Sequence, residues 1–497
     1  MNAQLILKFA VITVLLLIGC DAPNAEFVYS QRTGDLISQA RAPVEDTVDG
    51  HFGTPSQLIA WLRFSDAAIR FGRLQGQVMG PGSSSSRFKV SLDLSSVEDD
   101  LTADDLEGLG LLWITGKYTD AVTENRKGKE TRIDFQATGF DASTLELSVN
   151  AQLESPPDSG DKFLIVGHVL LHGQKNYMHH CMHCHGVTGD GNGPTANYLN
   201  PRPRDYRLGI FKFTSTKQAD RASRDDLKRI VRRGIHGTYM PSFMLLEEEK
   251  LDSIIEYVRW LAIRGEFEKI LVTELAADYS KEEFNKQRQR WKDSGRNPDD
   301  DPLNDLKGFL DEDFRNSIDN AASNLDRLWA RAEEKSSVVI PSIPRTDPEK
   351  DPHSIARGRE LYLSAKTKCA GCHGIAGRGD GPQTESVQKN KLGKQYDEPG
   401  LFDDWGNKLK PRDLTRGIYR GGRRPIDIYR RIYAGIKGTP MPAFGGTALN
   451  DNEIWDLVNY VMSVPFPRRL PTSSPNSHGS TPTKSASKPA LTASRSD

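Results

Sequence analysis

The stretches Cys181-Met182-His183-Cys184-His185 and Cys369-Ala370-Gly371-Cys372-His373 are two copies of the pattern C-x-x-C-H. This pattern is typical of c-type haem attachment. Two thiols three positions apart can each form a thioether to one porphyrin edge, and the histidine that follows is then directed at the iron. A single copy could also be half of a zinc site or a redox dithiol, but a zinc site needs a second pair of ligands. Neither copy has another cysteine near it, so we predict two covalently bound haem c groups held by Cys181, Cys184, Cys369 and Cys372, with His185 and His373 as iron ligands.

The fifth and last cysteine of the 497-residue chain is Cys20. Lys8 precedes an apolar run over residues 9–18, as in a signal peptide. The run is shorter than the roughly 20 residues of a membrane-spanning helix. Leu17-Ile18-Gly19-Cys20 resembles a bacterial lipobox, which implies removal of residues 1–19 and lipid modification of Cys20. A signal peptide cleaved elsewhere is the alternative. In both cases we expect export, and with Cys20 lipidated the protein is anchored on the periplasm-facing side of the bacterial cytoplasmic membrane.

Composition sets broad limits. The length predicts about three domains, and a net charge of −1 gives no indication of nucleic-acid binding. We therefore expect no nucleic-acid partner.

The two motifs belong to an internal repeat over residues 161–265 and 353–466. A glycine-proline loop, a Pro-Arg-Asp triplet and a Met-Pro loop recur in both copies, and a helix with apolar residues at i, i+3, i+4 and i+7 closes each. The matching segments are Gly189-Asp190-Gly191-Asn192-Gly193-Pro194 with Gly379-Asp380-Gly381-Pro382, Pro203-Arg204-Asp205 with Pro411-Arg412-Asp413, and residues 234–241 with 435–442. Asn450 and Glu453 predict a capping box on the second closing helix.

Each iron also needs a ligand from the opposite face. Met240 and Met441 occupy equivalent loops, and the proline after each keeps the methionine in an extended conformation. A thioether favours ferrous iron and raises the reduction potential. We predict Met240 and Met441 as the second ligands. Competing candidates remain: for the first haem Met244, His236, His168, His172, His179 and His180, and for the second His353.

These features together resemble class I cytochrome c domains, over roughly 215 of the 497 residues. The resemblance implies a small helical bundle around each haem, in which the first and last helices cross. It places Gly173 and Tyr177 on the first helix of one domain, and Gly358 and Tyr362 on that of the other. The second domain departs from the pattern, because Tyr362 lies seven residues before its motif and Tyr177 only four. The glycine-proline loop also resembles that of dihaem cytochrome subunits of terminal oxidases.

The fold class that we predict is mainly α: two class I cytochrome c domains, an N-terminal β-rich module and a helical linker. Alternating stretches at residues 87–94, 131–137 and 145–149 and an apolar stretch at 109–115 indicate the strands. The segments are a signal peptide (1–19), a polar tether (20–46), the β-rich module (47–160), the first cytochrome domain (161–265), a charged linker with a helical pair (266–352), the second cytochrome domain (353–466) and a disordered tail (467–497).

The function predicted from these features is single-electron transfer by a membrane-tethered dihaem cytochrome, an electron carrier and not an enzyme, between a protein donor and acceptor such as respiratory complexes. Three alternatives remain: a dihaem peroxidase-like enzyme with one open iron, a cytochrome subunit of a larger oxidoreductase, and a binding module in which the β-rich region recognises a partner. Basic residues near the haem loops could pair with haem propionates, steer a partner or be solvated surface: Arg204, Arg207, Arg232, Arg233, Arg420, Arg423 and Arg424.

Overall fold

The computed structural model describes residues 25–466, apart from 56, 65–71, 94–105, 120–121, 125–129, 133–134, 298–299 and 391–392. The signal peptide, Cys20 and the tail at 467–497 therefore lie outside the described residues. The helices are α1 Gln31–Gly34, α2 Ser38–Phe52, α3 His168–His180, α4 Met182–His185, α5 Arg224–Arg233, α6 Glu248–Tyr279, α7 Lys281–Asp293, α8 Pro302–Glu312, α9 Phe314–Arg331, α10 His353–Leu363, α11 Cys369–His373, α12 Pro425–Ala434 and α13 Asp451–Ser463.

The predicted polar tether is wrong for most of its described part. Residues 31–46 are largely helical, and α2 contacts the long helix α6. Ala40, Val44, Val48 and Phe52 recur every four residues along α2 and are at most 1% exposed. This spacing places them on one helical face, which the helix buries in the core that also surrounds α3 and α6.

The β-rich module is confirmed. It is a closed antiparallel barrel of six strands, in the order β10 (Lys162–Val166), β3 (Arg73–Ser84), β4 (Arg87–Asp93), β9 (Glu146–Val149), β8 (Phe135–Asp141) and β5 (Gly110–Trp113). Aromatic rings fill its interior, including Phe88, Trp113 and Phe163, as in other small barrels. The barrel runs past the predicted boundary at residue 160, because β10 pairs with both β3 and β5. Four shorter strands form two separate pairs outside the barrel: β1 Gly53–Thr54 with β2 Gln57–Leu58, and β6 Val122–Glu124 with β7 Glu130–Arg132.

In the first cytochrome domain α3 crosses α6 at Gly173. A Cβ on this glycine would overlap the carbonyl oxygen of Ser253, so only glycine allows the two backbones to approach this closely. The predicted domain boundary at residue 265 would require α6 to end there. The helix instead continues to Tyr279. The first domain and the linker therefore share one helix.

The linker holds α7, α8 and α9 after the shared helix, not a helical pair. Leu325 and Trp329 of α9 are fully buried and belong to the same core as the first cytochrome domain. The Trp329 indole nitrogen donates a 2.9 Å hydrogen bond to Glu266 of α6. Packing of α9 on α6 therefore makes the linker part of the first domain's body.

The second cytochrome domain repeats the same crossing with α10 and α13. The predicted capping box is confirmed, since Asn450 and Glu453 exchange side-chain to backbone hydrogen bonds of 3.0 and 3.1 Å. A hairpin of β11 Leu401–Phe402 and β12 Lys408–Leu409 precedes the Pro-Arg-Asp triplet. Within the described part of the chain, no helix has the length and apolar character needed to span a bilayer.

Candidate haem-attachment sites

Each C-x-x-C-H motif lies on a short helix, α4 or α11, directly after the first helix of its domain. The tyrosine of that first helix fixes the connection in both copies. Tyr177 donates a 2.8 Å hydrogen bond to the carbonyl oxygen of Gly186, and Tyr362 donates a 2.6 Å bond to Gly374. The three additional residues before the second motif therefore leave the tyrosine's contact unchanged.

The glycine-proline loop wraps around the motif in the same way in both domains. The amide of Gly191 donates to the carbonyl of His185 at 2.9 Å, and that of Gly379 donates to His373 at 2.8 Å. A Cβ on Gly381 would overlap the motif backbone at residues 370 and 371. A glycine is thus required where the loop touches the motif.

The motif histidines are held through their Nδ1 atoms. His185 Nδ1 lies 3.1 Å from the carbonyl oxygen of Arg204, and His373 Nδ1 lies 3.2 Å from that of Arg412. A hydrogen bond at Nδ1 leaves Nε2 for a metal, which is the usual support of a ligating histidine. Burial lowers the pKa of His185 to about 4 and also lowers the pKa of His373. Burial thus favours the neutral form of both rings, which is the form that binds a metal.

The cysteine environment contrasts with that of a reactive dithiol. Burial raises the pKa of the Cys181 thiol to about 12 and also raises the pKa of Cys369 and Cys372. Reactive thiols have lowered pKa values. Across residues 25–466, gaps excepted, no group of three or more His, Cys, Asp or Glu side chains could hold a metal ion. Both observations disfavour the dithiol and zinc interpretations.

In the second domain a cavity of about 260 Å³ brings the predicted residues together. Its walls include Cys369, Cys372, His373 and Met441. Arg420 also lines it, and the buried Nε of this arginine has no hydrogen-bond partner. Paired thiols, a neutral histidine, a thioether and an unpaired cationic donor fit a haem whose propionates are anionic.

For the first domain the contacts place Cys181, Cys184 and His185 on one short segment, and the loop of Met240 repeats the loop of Met441. The amide of Met240 donates to Thr238 Oγ1 at 3.2 Å, and that of Met441 donates to Thr439 Oγ1 at 3.3 Å. Of the competing candidates, Met244 is 67% exposed. Outside the sites, Met462 packs against the second core.

Loops beside the two sites contact each other across the domain boundary. Gly237, in the Met240 loop, approaches Ile418 of the second domain, since a Cβ on Gly237 would lie 3.3 Å from Ile418 Cγ2. Likewise, a Cβ on Gly438, in the Met441 loop, would lie 3.1 Å from Ile210 Cγ2 of the first domain. Each contact joins the methionine loop of one domain to the segment after the Pro-Arg-Asp triplet of the other.

Sequence reasoning did not find the residues at this boundary, among them Lys212 and Phe213 of the first domain, which line the second cavity. It also missed Asp403 and Trp405 of the hairpin. The sequence does indicate an additional segment in the second copy of the repeat. Nine positions separate Pro194 from Pro203, whereas 29 separate Pro382 from Pro411.

The fold and both sites define the class as c-type cytochrome domains. Comparison with known families agrees: residues 355–465 match the cytochrome c family, and residues 169–258 match the family described as cytochrome c oxidase, cbb3-type, subunit III. The chain thus contains tandem class I c-type cytochrome domains, which imply covalently bound haem c and a role in electron transfer.

No curated protein matches the chain at a significant level. A chain from the reducing HAO-like protein complex of Kuenenia stuttgartiensis is 25% identical, with 59% of this chain and 95% of that chain covered and a TM-score of 0.39.

Proposed function

We propose that the protein is a membrane-tethered cytochrome that binds two haem c groups and passes single electrons between respiratory redox partners. The observation that carries this proposal is the second cavity, where Cys369, Cys372, His373 and Met441 meet. The equivalent loops of the first domain support a second haem with the ligands His185 and Met240.

Haem c supplies an iron that alternates between the ferric and ferrous states. The chain's own residues set the conditions for this exchange. The carbonyl of Arg412 orients the His373 ring. Met441 would be the second ligand of the iron, which would leave no position for a substrate, and its soft thioether would favour the ferrous state. Electron transfer between a donor and an acceptor would then require no bond to be made or broken.

The tether is the lipid that we propose on Cys20, with the mature protein on the periplasm-facing side of the cytoplasmic membrane. The lipobox-like sequence before Cys20 supports it. Metabolic labelling with a fatty acid should label the wild type, and a Cys20→Ser variant should remain unlabelled. Labelling of the variant would exclude attachment at Cys20.

The first experiment is optical. The pyridine haemochrome should give two haems per chain, and the oxidised protein should show the weak far-red band of methionine-ligated ferric haem. Reduction should occur at positive potentials, and carbon monoxide should leave the reduced spectrum unchanged. A high-spin component with rapid carbon monoxide binding would instead indicate an open iron, as in a peroxidase-like enzyme.

A further inference from the structure

The hairpin β11–β12 belongs to a segment of the second domain that the first domain lacks. It is a folded element: Leu401 pairs with Leu409 and Phe402 with Lys408. Tyr396 stacks on Phe402 with ring centroids 3.7 Å apart. The segment between the glycine-proline loop and the Pro-Arg-Asp triplet therefore has a defined shape that can hold other residues in place.

The turn of this hairpin begins at Asp403, whose side chain is 4% exposed. Its Oδ1 accepts hydrogen bonds from the backbone amides of Trp405 and Asn407, at 3.2 and 3.0 Å, which fixes the carboxylate within the turn. Its Oδ2 faces the first domain, 3.4 Å from Lys212 Nζ and 4.0 Å from Arg204 Nη1. A carboxylate this buried is stable only when paired with cations, and here both cations come from the other domain.

Trp405 adds a second contact across the boundary. The Arg204 guanidinium lies 3.7 Å from the centroid of the Trp405 ring, within cation–π distance. The same ring would lie 2.5 Å from a Cβ on Gly438, in the Met441 loop. Trp405 is therefore packed between the first domain's arginine and the loop that carries the second domain's methionine.

The hairpin and the residues that it holds reach the second cavity. Leu401, Leu409 and Lys410 come from the hairpin or its edge, and Lys212 and Phe213 come from the first domain; all five line the cavity that also contains Cys372 and Met441. The wall of the second site is thus built from both cytochrome domains.

We propose that residues 401–409 form an interdomain clasp that holds the positive charge of Lys212 at the second haem and so sets its reduction potential from the first domain. This inference rests on the proposed function, because it requires a haem in the second site. A nearby cation stabilises the reduced haem, and a nearby carboxylate stabilises the oxidised haem. In a water-poor site these effects are weakly screened, so the Lys212–Asp403 pair acts on the electron at short range.

Two substitutions test the clasp with opposite signs. Lys212→Gln should lower the midpoint potential of the second haem, because it removes the cation. Asp403→Asn should raise it, because it removes the anion while Phe213, which packs against Gly421, and the Arg204–Trp405 contact still keep the Lys212 segment at the cavity. We expect a change of about tenfold in the oxidised-to-reduced ratio at a fixed potential, equal to about 59 mV for a one-electron couple. The two waves of a spectroelectrochemical titration are assigned with Met441→His, which shifts only the second.

Glu398→Gln is the matched control. Glu398 lies in the same segment and pairs with Lys408 at 2.7 Å, but both side chains are largely exposed, at 60% and 46%. This substitution removes the same charge as Asp403→Asn and should leave both waves in place. A second measurement is amide hydrogen exchange over residues 204–213, which should become faster in Asp403→Asn and stay unchanged in Glu398→Gln.

The outcomes separate the two proposals. Fewer than two haems per chain, or an open iron in the wild type, would overturn the proposed function itself. The clasp alone would be overturned if the protein held two six-coordinate haems but Lys212→Gln and Asp403→Asn changed their potentials no more than Glu398→Gln does.

Discussion

Gly358 in α10 lies directly against Asp456 in α13, so that a Cβ on Gly358 would overlap the Asp456 carbonyl oxygen. The tyrosine four residues on, Tyr362, has its ring centroid 5.1 Å from that of Tyr460 on the opposite helix. The first domain has the same pair, Tyr177 and Tyr257, at the same distance. The helix crossing that frames each haem site is therefore set by one glycine and one pair of tyrosines.

Gly358→Ala should destabilise the second cytochrome domain by about 1–3 kcal/mol or more, because the added methyl meets backbone that cannot rotate away. Thermal unfolding of the haem-loaded protein measures the change. Gly308→Ala is the control: Gly308 is also helical, but a Cβ there has no neighbour within 4 Å, and alanine should add about 0.5–1 kcal/mol of stability. Equal effects of the two substitutions would contradict the importance of the crossing.

Tyr362→Phe should cost about 1–3 kcal/mol, since the buried carbonyl of Gly374 loses its donor while the ring packing remains. Denaturant unfolding followed at the haem absorbance gives the value. Tyr198→Phe, at an 85% exposed position, should have no measurable effect. A Tyr362→Phe variant as stable as the wild type would show that this hydrogen bond is dispensable.

Met441→Ala should remove the proposed second ligand of the second haem without removing the haem itself, which the two thioethers retain. We expect half of the far-red band to disappear and one haem per chain to bind carbon monoxide. Met462→Leu, in the closing helix, provides the control with an unchanged spectrum. If Met441→Ala kept the full band, another residue would have to be the ligand.

Acid should loosen the N-terminal part of the molecule. Burial lowers the pKa of His51, which stacks on Trp61 at 4.1 Å, and of His168, beside Gly72, from 6.5 to about 4 each. Between pH 6.5 and 4 the unfolded chain binds more protons at these sites than the folded chain, so stability falls as the pH is lowered through this range.

One pKa unit corresponds to about 1.4 kcal/mol, and partial exposure reduces the effect to on the order of 2 kcal/mol for each histidine. Denaturant titrations at pH 7 and 5 should show part of this loss in the wild type and a smaller one in His51→Phe. An identical loss in both proteins would assign the pH dependence to other groups.

Much of the cytochrome architecture was predictable, because its determinants are local. The C-x-x-C-H spacing, the Met-Pro loop and the Asn450–Glu453 capping box each depend on a few consecutive residues. Strands β4 and β9 were predictable from alternation and β5 from its apolar stretch. Strands β3 and β10 were not predicted, and neither was the closure into a barrel, since pairing of β10 with β3 and β5 joins residues far apart in sequence.

The missed features depend on tertiary contacts. Helix α2 contains polar residues on one face, and its role became apparent only from the core that buries Val44 and Val48. The continuation of α6 could not be read from the sequence, because Gly265, a residue type that often ends a helix, lies at the predicted boundary. Only the contacts of α6 with α3 and then with α9 show that the helix runs on. The contacts of Asp403 could not be predicted, because neither Lys212 nor Arg204 is near it in sequence.

The uninterrupted α6 also limits how the molecule can move. Its 32 residues form a rod of about 48 Å, and the chain after α9 is joined to the first domain, where the amide of Val339 donates to the Ser215 carbonyl at 2.8 Å. It is then joined to the second domain, where Ser342 donates to Asp451. These contacts tie the connecting chain to both domains. In the proposed dihaem carrier, electrons would therefore cross the distance between the two sites without a domain rotation.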